Sequence, residues 1–358
     1  MRRRKIISFF ILLVSMGMSA SAQQGKECGT PAPANKPVLT AAKLQRAENQ
    51  RLLYTSPYPL KVFIRVFADD NGTNLAATEE DVLRQFENMR SFYNAHDICF
   101  ILAGYEVTRH SDLNNMNIDE ADDMADLEGY VLNGCMNIFV HAVLYGDDGT
   151  LNGNAYGIPN HFLSLVASAV SSTTNLSTMA HEMGHCLGLL HTFEDAYGEE
   201  AVTRSGSCRD CEDDGDLLCD TQADLDTDLV NASCVYTGSS LDECGVLYLC
   251  EETNIMTYGR RSCRDHFTNG QGARARTYVL DDHENRIAEN ALAIGNANLT
   301  VGTSIYAARN SIIFIASSFT VSLTATANFS SRSITFSPGV ELKPLVGYVH
   351  ARAGTYCQ

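Results

Sequence analysis

Positive charge is scarce in this chain. Its 358 residues include 26 Lys and Arg against 43 Asp and Glu, a formal net charge of −17. Nucleic-acid binding needs a basic footprint to meet the phosphates, and none is visible, so that class is excluded. Long apolar runs are missing as well. The run IISFFILLVSM at residues 6–16 is too short to span a bilayer comfortably. The later stretch SIIFIASSFTVSLTATA, residues 311–327, is broken by Ser and Thr and rich in β-branched residues, so it reads as strands. The chain is therefore not expected to span a membrane.

Residues 1–22 have the form of a secretory signal. Arg2, Arg3, Arg4 and Lys5 precede the short apolar run, and Ala20, Ser21 and Ala22 offer a small-residue cleavage site. Removing them takes away four positive charges and moves the net charge from −17 to −21. An exported chain with twelve cysteines implies disulfides. Seven of these (Cys208, Cys211, Cys219, Cys234, Cys244, Cys250 and Cys263) crowd together, and their spacing alone does not give the pairing. Cys28 stands by itself, with no other cysteine before Cys99.

Residues 23–56 are polar and Pro-containing, with a short helical pattern in TAAKLQRAENQRLL, and read as an appended pro-segment. LKVFIRVF reads as a buried strand. TEEDVLRQFENMRSFYNAH places Val82, Phe86, Met89 and Phe92 at helical spacing behind an acidic start. ICFILAGYEV and MNIFVHAVL are further strands. Cys99 and Cys135 begin these two, which makes a disulfide between them plausible. GNAYGIPNHFLSLVAS reads as an irregular strand with a proline. The order predicts an α/β domain over 57–294, with a mixed, mainly parallel twisted sheet and a long active-site helix. From residue 295 to 358 charges thin out and Ser, Thr and short β-type runs dominate, so a small all-β module is expected. No long internal repeat is visible.

The chemistry lies in NLSTMAHEMGHCLGLLH, residues 175–191. Leu176, Ala180, Met183, Leu187 and Leu190 recur at helical spacing and predict a buried stripe. His181 and His185 are four apart, so their imidazoles lie one turn apart on one face and can share a metal ion. Glu182 lies beside them, placed to act on a water held at the metal. Gly188 can end the helix in a left-handed turn, after which His191 supplies a third nitrogen. Three imidazoles with an open fourth position suit catalytic Zn2+. Zinc lowers the pKa of its water from about 16 towards 7, and Glu182 would take that water's proton as it attacks a peptide carbonyl.

The extended HExxHxxGxxH pattern is that of the metzincin metallopeptidases. NIMTYG resembles their methionine turn and puts Met256 beneath the zinc, 65 residues after His191. RRSCRDHFTNGQGARAR, HTF and GDLLCDT resemble the pappalysin (cytophagalysin) branch. The likeness covers roughly residues 58–290. It implies a metzincin-type catalytic domain and gives Tyr258 the stabilisation of the tetrahedral oxyanion. It also implies Ca2+ in the loop after His191, for which Asp213, Asp216 and Asp220 are the candidates. A solvated acidic loop is the other reading. Cys234 with Cys263, then Cys211 with Cys244, are the expected disulfides.

Enzymes of this type often begin with a CGT segment in a removable pro-region, which Cys28, Gly29 and Thr30 match. A thiolate is a strong zinc ligand, so Cys28 would close the fourth position until the segment is cut between Arg51 and Pro57. Pairing of Cys28 with Cys357 or another cysteine is the alternative. The resemblance also assigns the segment after the methionine turn to the pocket for the residue after the scissile bond. There Arg260 and Arg261 would disfavour Lys and Arg and favour acidic or polar residues, unless they face solvent or pair with the acidic loop. The expected function is a secreted, cysteine-latched zinc endopeptidase acting on proteins or peptides. A silent binding or adhesion protein on the same scaffold is the competing reading. The C-terminal module resembles short β domains of exported Bacteroidetes proteins.

Overall fold

The computed structural model describes residues 26–354 and 357, apart from 38, 54–57, 226–228, 316–317, 323, 337–340 and 345–347. The signal at 1–22 and residues 54–57 of the expected cleavage stretch lie outside the described residues.

Strand β1 (Lys26–Cys28) and helix α1 (Ala41–Leu53) precede β2 (Tyr58–Ala68), α2 (Glu79–Asn94) and β3 (Ile98–Arg109). Then come α3 (Ser111–Asn114), β4 (Asn115–Asn117), α4 (Ala121–Glu128), β5 (Met136–His141), β6 (Val143–Gly146) and β7 (Gly149–Ala155). After β8 (Phe162–Val166) and α5 (Ala167–Ser171) follows α6 (Thr178–Cys186), and much later α7 (Asn269–Asp281). The main sheet runs β3-β2-β5-β8-β7-β6-β4, with β1 added on β7. Only the pairs of β7 with β6 and with β8 are antiparallel. The sheet is therefore mixed and mainly parallel, as the sequence order predicts.

β2 is buried along almost its whole length, because helices cover one face and smaller apolar clusters the other. Thr78 caps α2 by accepting from the Asp81 N–H, and Glu79, Glu80 and Asp81 complement the positive helix end. Val82, Phe86 and Met89 are buried; Tyr93, rather than Phe92, completes the stripe. The Tyr93 hydroxyl donates to the Ala180 carbonyl at 2.9 Å and so fixes α6 against α2.

α6 is shorter than expected, with nine residues. Leu176 precedes it and is exposed, so the buried stripe starts at Ala180.

The C-terminal strands are β9 (Glu289–Ile294), β10 (Ala297–Leu299), β11 (Thr303–Phe314), β12 (Ser318–Val321), β13 (Thr326–Ser331), β14 (Ser333–Phe336), β15 (Glu341–Pro344) and β16 (Tyr348–Ala353). All their pairings are parallel. Ala291 faces Ser311, which faces Ser333; Thr303 faces Thr326, which faces Tyr348. Each coil therefore takes 20–23 residues, and the module is a short β-solenoid. The expectation of no long internal repeat did not extend to this short structural one. The coils are built from interchangeable Ser, Thr, Ala and β-branched residues, which leave little self-similarity. Aromatic rings in register stack along it, Tyr306 on Phe329 and Phe314 on Phe336. Since β9 pairs with β11, this part begins at Glu289, ahead of the composition change at 295.

Disulfides join Cys99 to Cys357, Cys208 to Cys244, Cys211 to Cys219 and Cys234 to Cys263. The Cys234–Cys263 expectation stands. Cys211–Cys244 does not: Cys211 closes a short loop with Cys219, and Cys208 takes Cys244. Cys99–Cys135 fails because β2 lies between β3 and β5. Two strand spacings, about 9–10 Å, exceed disulfide reach. Cys28, Cys135, Cys186 and Cys250 are free thiols.

Candidate metal centre and active site

The Nε2 atoms of His181, His185 and His191 converge to 3.2–3.3 Å from one another. Nδ1 of His181 donates to the Ile255 carbonyl at 2.8 Å, and Nδ1 of His185 to the Leu189 carbonyl at 2.9 Å. Those bonds leave bare lone pairs on the Nε2 atoms, aimed at a common point. Burial holds His181 and His191 well below the usual imidazole range and lowers His185 to about 4, so all three are neutral. Three buried lone pairs at this separation repel unless a cation lies among them. Four ligands about 2.0–2.1 Å from a tetrahedral zinc are themselves about 3.3–3.4 Å apart, so the spacing fits zinc.

Local folding explains the convergence. Gly188, at φ +83°, turns the chain back after α6, and any Cβ there would run into the Tyr278 ring at 2.1 Å. His191 then comes under its own helix. Met256 lies beneath Gly184, where a Cβ would be 2.6 Å from the Met256 sulfur. The methionine turn is fixed to α7 by reciprocal amide bonds between Asn254 and Gln271, while the Asn254 side-chain Oδ1 also accepts from the Met256 N–H. Asp224 ties the two halves together. Its Oδ2 accepts from Thr192, next to His191, at 2.6 Å and from Thr257, next to Met256, at 2.7 Å.

Glu182 is fully buried. Its Oε2 accepts from the Thr30 hydroxyl at 3.2 Å and faces the Cys28 thiol at 3.4 Å, while Oε1 has no hydrogen-bond partner among the described residues. Burial pushes Glu182 up to about 8 and raises the Cys28 thiol, with Glu182 adding to the latter. Cys28 Sγ, His181, His185 and His191 form the one group of three or more metal-capable side chains among the described residues, with ligand atoms within 4.8 Å of one another. Cys28 is held there by backbone. β1 runs parallel along β7, with Lys26 opposite Leu151 and Cys28 opposite Gly153. The Gly29 N–H donates to the Gly153 carbonyl, and the Tyr258 hydroxyl to the Cys28 carbonyl, each at 3.1 Å. The pairing of Cys28 with Cys357 is thus excluded, since Cys357 bonds Cys99. A cavity of about 210 Å³ opens beside Cys28, His191, Phe193 and Tyr258.

Arg261 lies at this site, where its guanidinium grips Glu27 at 2.7 Å. Arg260 is exposed and makes no ion pair among the described residues. Arg264, which sequence reasoning missed, is buried and also reaches Glu27, at 3.1 Å.

Asp213, Asp216 and Asp220 do not form a metal-capable group among the described residues. Asp213 pairs with Lys36 at the surface, and Asp220 accepts from the Gly270 N–H at the start of α7. Asp216 is buried, pushed up to about 7 by burial, and has one oxygen without a partner.

The model of the M12 metallo-peptidase family described as Reprolysin_5 matches residues 63–231. An extracellular metalloprotease of Colletotrichum graminicola is 26% identical over 299 residues, covering 76% of this chain and 97% of that relative. Human pappalysin-1 is 32% identical over 134 residues, which is 36% of this chain but 7% of that much longer protein. Mature mirolysin of Tannerella forsythia in complex with a cleaved peptide superposes with a TM-score of 0.47 at 18% identity, covering 64% of this chain and 94% of that one. With three convergent imidazoles and these sequence relatives, the chain is a zinc metalloendopeptidase. Within that class its sequence is similar to metzincin-like metallopeptidases of the pappalysin type.

Proposed function

We propose that the protein is a secreted endopeptidase made as a latent precursor, with residues 1–22 as signal, 23–56 as pro-segment and 57–288 as catalytic domain. The observation that carries this is the meeting of Cys28 with His181, His185 and His191 around one point. These three histidines would hold zinc in the active form, with Cys28 as fourth ligand in the latent one. Bound zinc would supply a Lewis acid that acidifies water and polarises the scissile carbonyl.

The chain's own groups do the rest. Glu182, with Oε1 free, takes the proton of the attacking water and delivers it to the leaving amine. Tyr258, whose hydroxyl already reaches into the site, donates to the developing oxyanion. β7 offers its backbone at residues 151–153 to an extended substrate once β1 leaves. Latency thus has two layers, a thiol at the metal and a strand on the substrate edge. α1 packs on α7, and Lys43 and Arg46 pair with Asp281, so the pro-segment is also anchored remotely. Ca2+ would be held at Asp216, whose buried oxygen without a partner among the described residues suits a hard cation. Export is supported by the N-terminal pattern and by relatives named extracellular metalloproteases.

The test is peptide hydrolysis by the zinc-loaded uncut chain, by Cys28→Ser and by Glu182→Ala/Cys28→Ser. Activity that rises with Cys28→Ser and vanishes with the added Glu182→Ala is expected. Equal activity of wild type and Cys28→Ser would overturn the latch.

A further inference from the structure

Glu27 adjoins the residue at the metal, and its carboxylate sits in a built receptor. Oε1 lies 2.7 Å from Nε of Arg261, and Oε2 lies 3.1 Å from Arg264. The Arg264 side chain is 1% exposed, that of Arg261 21%. Arg264 is aimed by its own Nε, which donates to the Gly259 carbonyl at 2.9 Å. Among the described residues Glu27 is the one acidic side chain that pairs with either arginine. When the N-terminal segment departs, two guanidinium groups, one of them buried, lose their counter-charge. A buried charge left unpaired is strongly unfavourable, so the site is poised to take up another carboxylate.

We propose that Arg261 and Arg264 form a carboxylate-binding subsite beside the metal centre, filled by Glu27 in the uncut chain and by an Asp or Glu side chain of the substrate in the active enzyme. This rests on the peptidase reading above. Glu27 immediately precedes the residue over the metal, so the recognised acid lies next to the cleaved bond. Planar guanidinium forks select carboxylates by geometry as well as charge. Arg260, exposed and outside the contact, plays no part in it.

The subsite can be read without catalysis. The zinc-loaded full chain carrying Glu27→Ala, Cys28→Ala and Glu182→Ala, cut between Arg51 and Pro57 so that β1 can leave β7, is titrated with fluorescent peptides that differ only in Glu or Gln at one position. Each peptide is made with a free and an amidated C-terminus. The Glu peptide should bind at least about tenfold more tightly than its Gln isostere, whichever terminus it carries. Adding Arg261→Gln, at a partly exposed position, should erase the difference. Arg264→Gln should do the same if it folds. Equal affinities for Glu and Gln peptides would overturn the proposal. So would a preference that follows the free C-terminus, which would assign the arginines to a terminal carboxylate. In the otherwise wild-type uncut chain, Glu27→Gln should speed amide exchange at residues 26–30 at least about tenfold; unchanged exchange would refute the latch. Neither readout needs peptide hydrolysis, so a Cys28→Ser chain that cleaves no peptide, beside a Glu182→Ala variant that still discriminates Glu from Gln, would sink the peptidase reading and leave the subsite standing.

Discussion

Asp224 touches no metal ligand, yet its loss should weaken zinc binding. One buried carboxylate oxygen accepts from Thr192 at 2.6 Å and from Thr257 at 2.7 Å. Thr192 adjoins His191, and its own N–H donates to the Met256 carbonyl at 3.3 Å. Asp224 therefore sets the distance between the third imidazole and the methionine turn beneath the site. Asp224→Ala removes, besides the bond from the Leu225 N–H to Oδ1, the two threonine hydrogen bonds to this charged oxygen, and leaves two buried hydroxyls unsatisfied. Each such bond is worth about 1.5–3 kcal/mol, and because they share one oxygen the joint loss is set at about 2–4 kcal/mol. For a domain of this size that lowers the melting midpoint by roughly 5–10 °C. A ligand freed from its outer support costs about 10- to 100-fold in metal affinity. The assay is zinc competition against a chromophoric chelator, with Thr192→Val and Thr257→Val as single-arm controls. Both controls should lose affinity, each by less than Asp224→Ala. A destabilised Asp224→Ala protein with wild-type zinc affinity would refute the reasoning.

Two other outcomes follow from the fold. His141 is fully buried, bonded to the Leu113 carbonyl and the Ser164 hydroxyl, and burial lowers it to about 4. Its neutral form is favoured in the fold, so stability is intact above about pH 6.5 and falls as pH drops from there towards 4. At pH 5, His141→Gln should regain about 2 kcal/mol relative to wild type compared with pH 7.5; a pH-independent difference in chemical denaturation would contradict this. Ending the chain after Ile287 would uncover Phe63, Ile101 and Ala103, which the solenoid covers, and would remove the Cys99–Cys357 bond. The truncated protein should melt about 10 °C or more lower or fail to stay soluble, and a wild-type melting curve would show that the module is dispensable.

What could be read from the sequence depended on range along the chain. The HExxHxxGxxH spacing is local, so helix periodicity and one glycine turn were enough to place three histidines around a point. The strands and α2 were legible for the same reason, since burial there follows a short period. Leu176 was misplaced because the stripe continued past the true start of α6. Arg264 was missed because its partner Glu27 is 237 residues away, and no local pattern marks the pair. The cysteine pairing failed where strand order mattered: β2 inserts between the strands carrying Cys99 and Cys135. The solenoid hid because its coils repeat a burial pattern in exchangeable small residues. The acidic loop misled for the opposite reason. Close spacing in sequence suggested a shared ion, whereas Asp213 and Asp220 are committed to Lys36 and to α7.

The central claim is that the uncut chain holds zinc between three imidazoles and the Cys28 thiolate. Zinc K-edge absorption spectroscopy on the uncut, zinc-loaded protein tests it most directly. The account predicts three nitrogen neighbours and one sulfur, with the sulfur lost in Cys28→Ser. A wild-type spectrum with nitrogen and oxygen neighbours alone would contradict it.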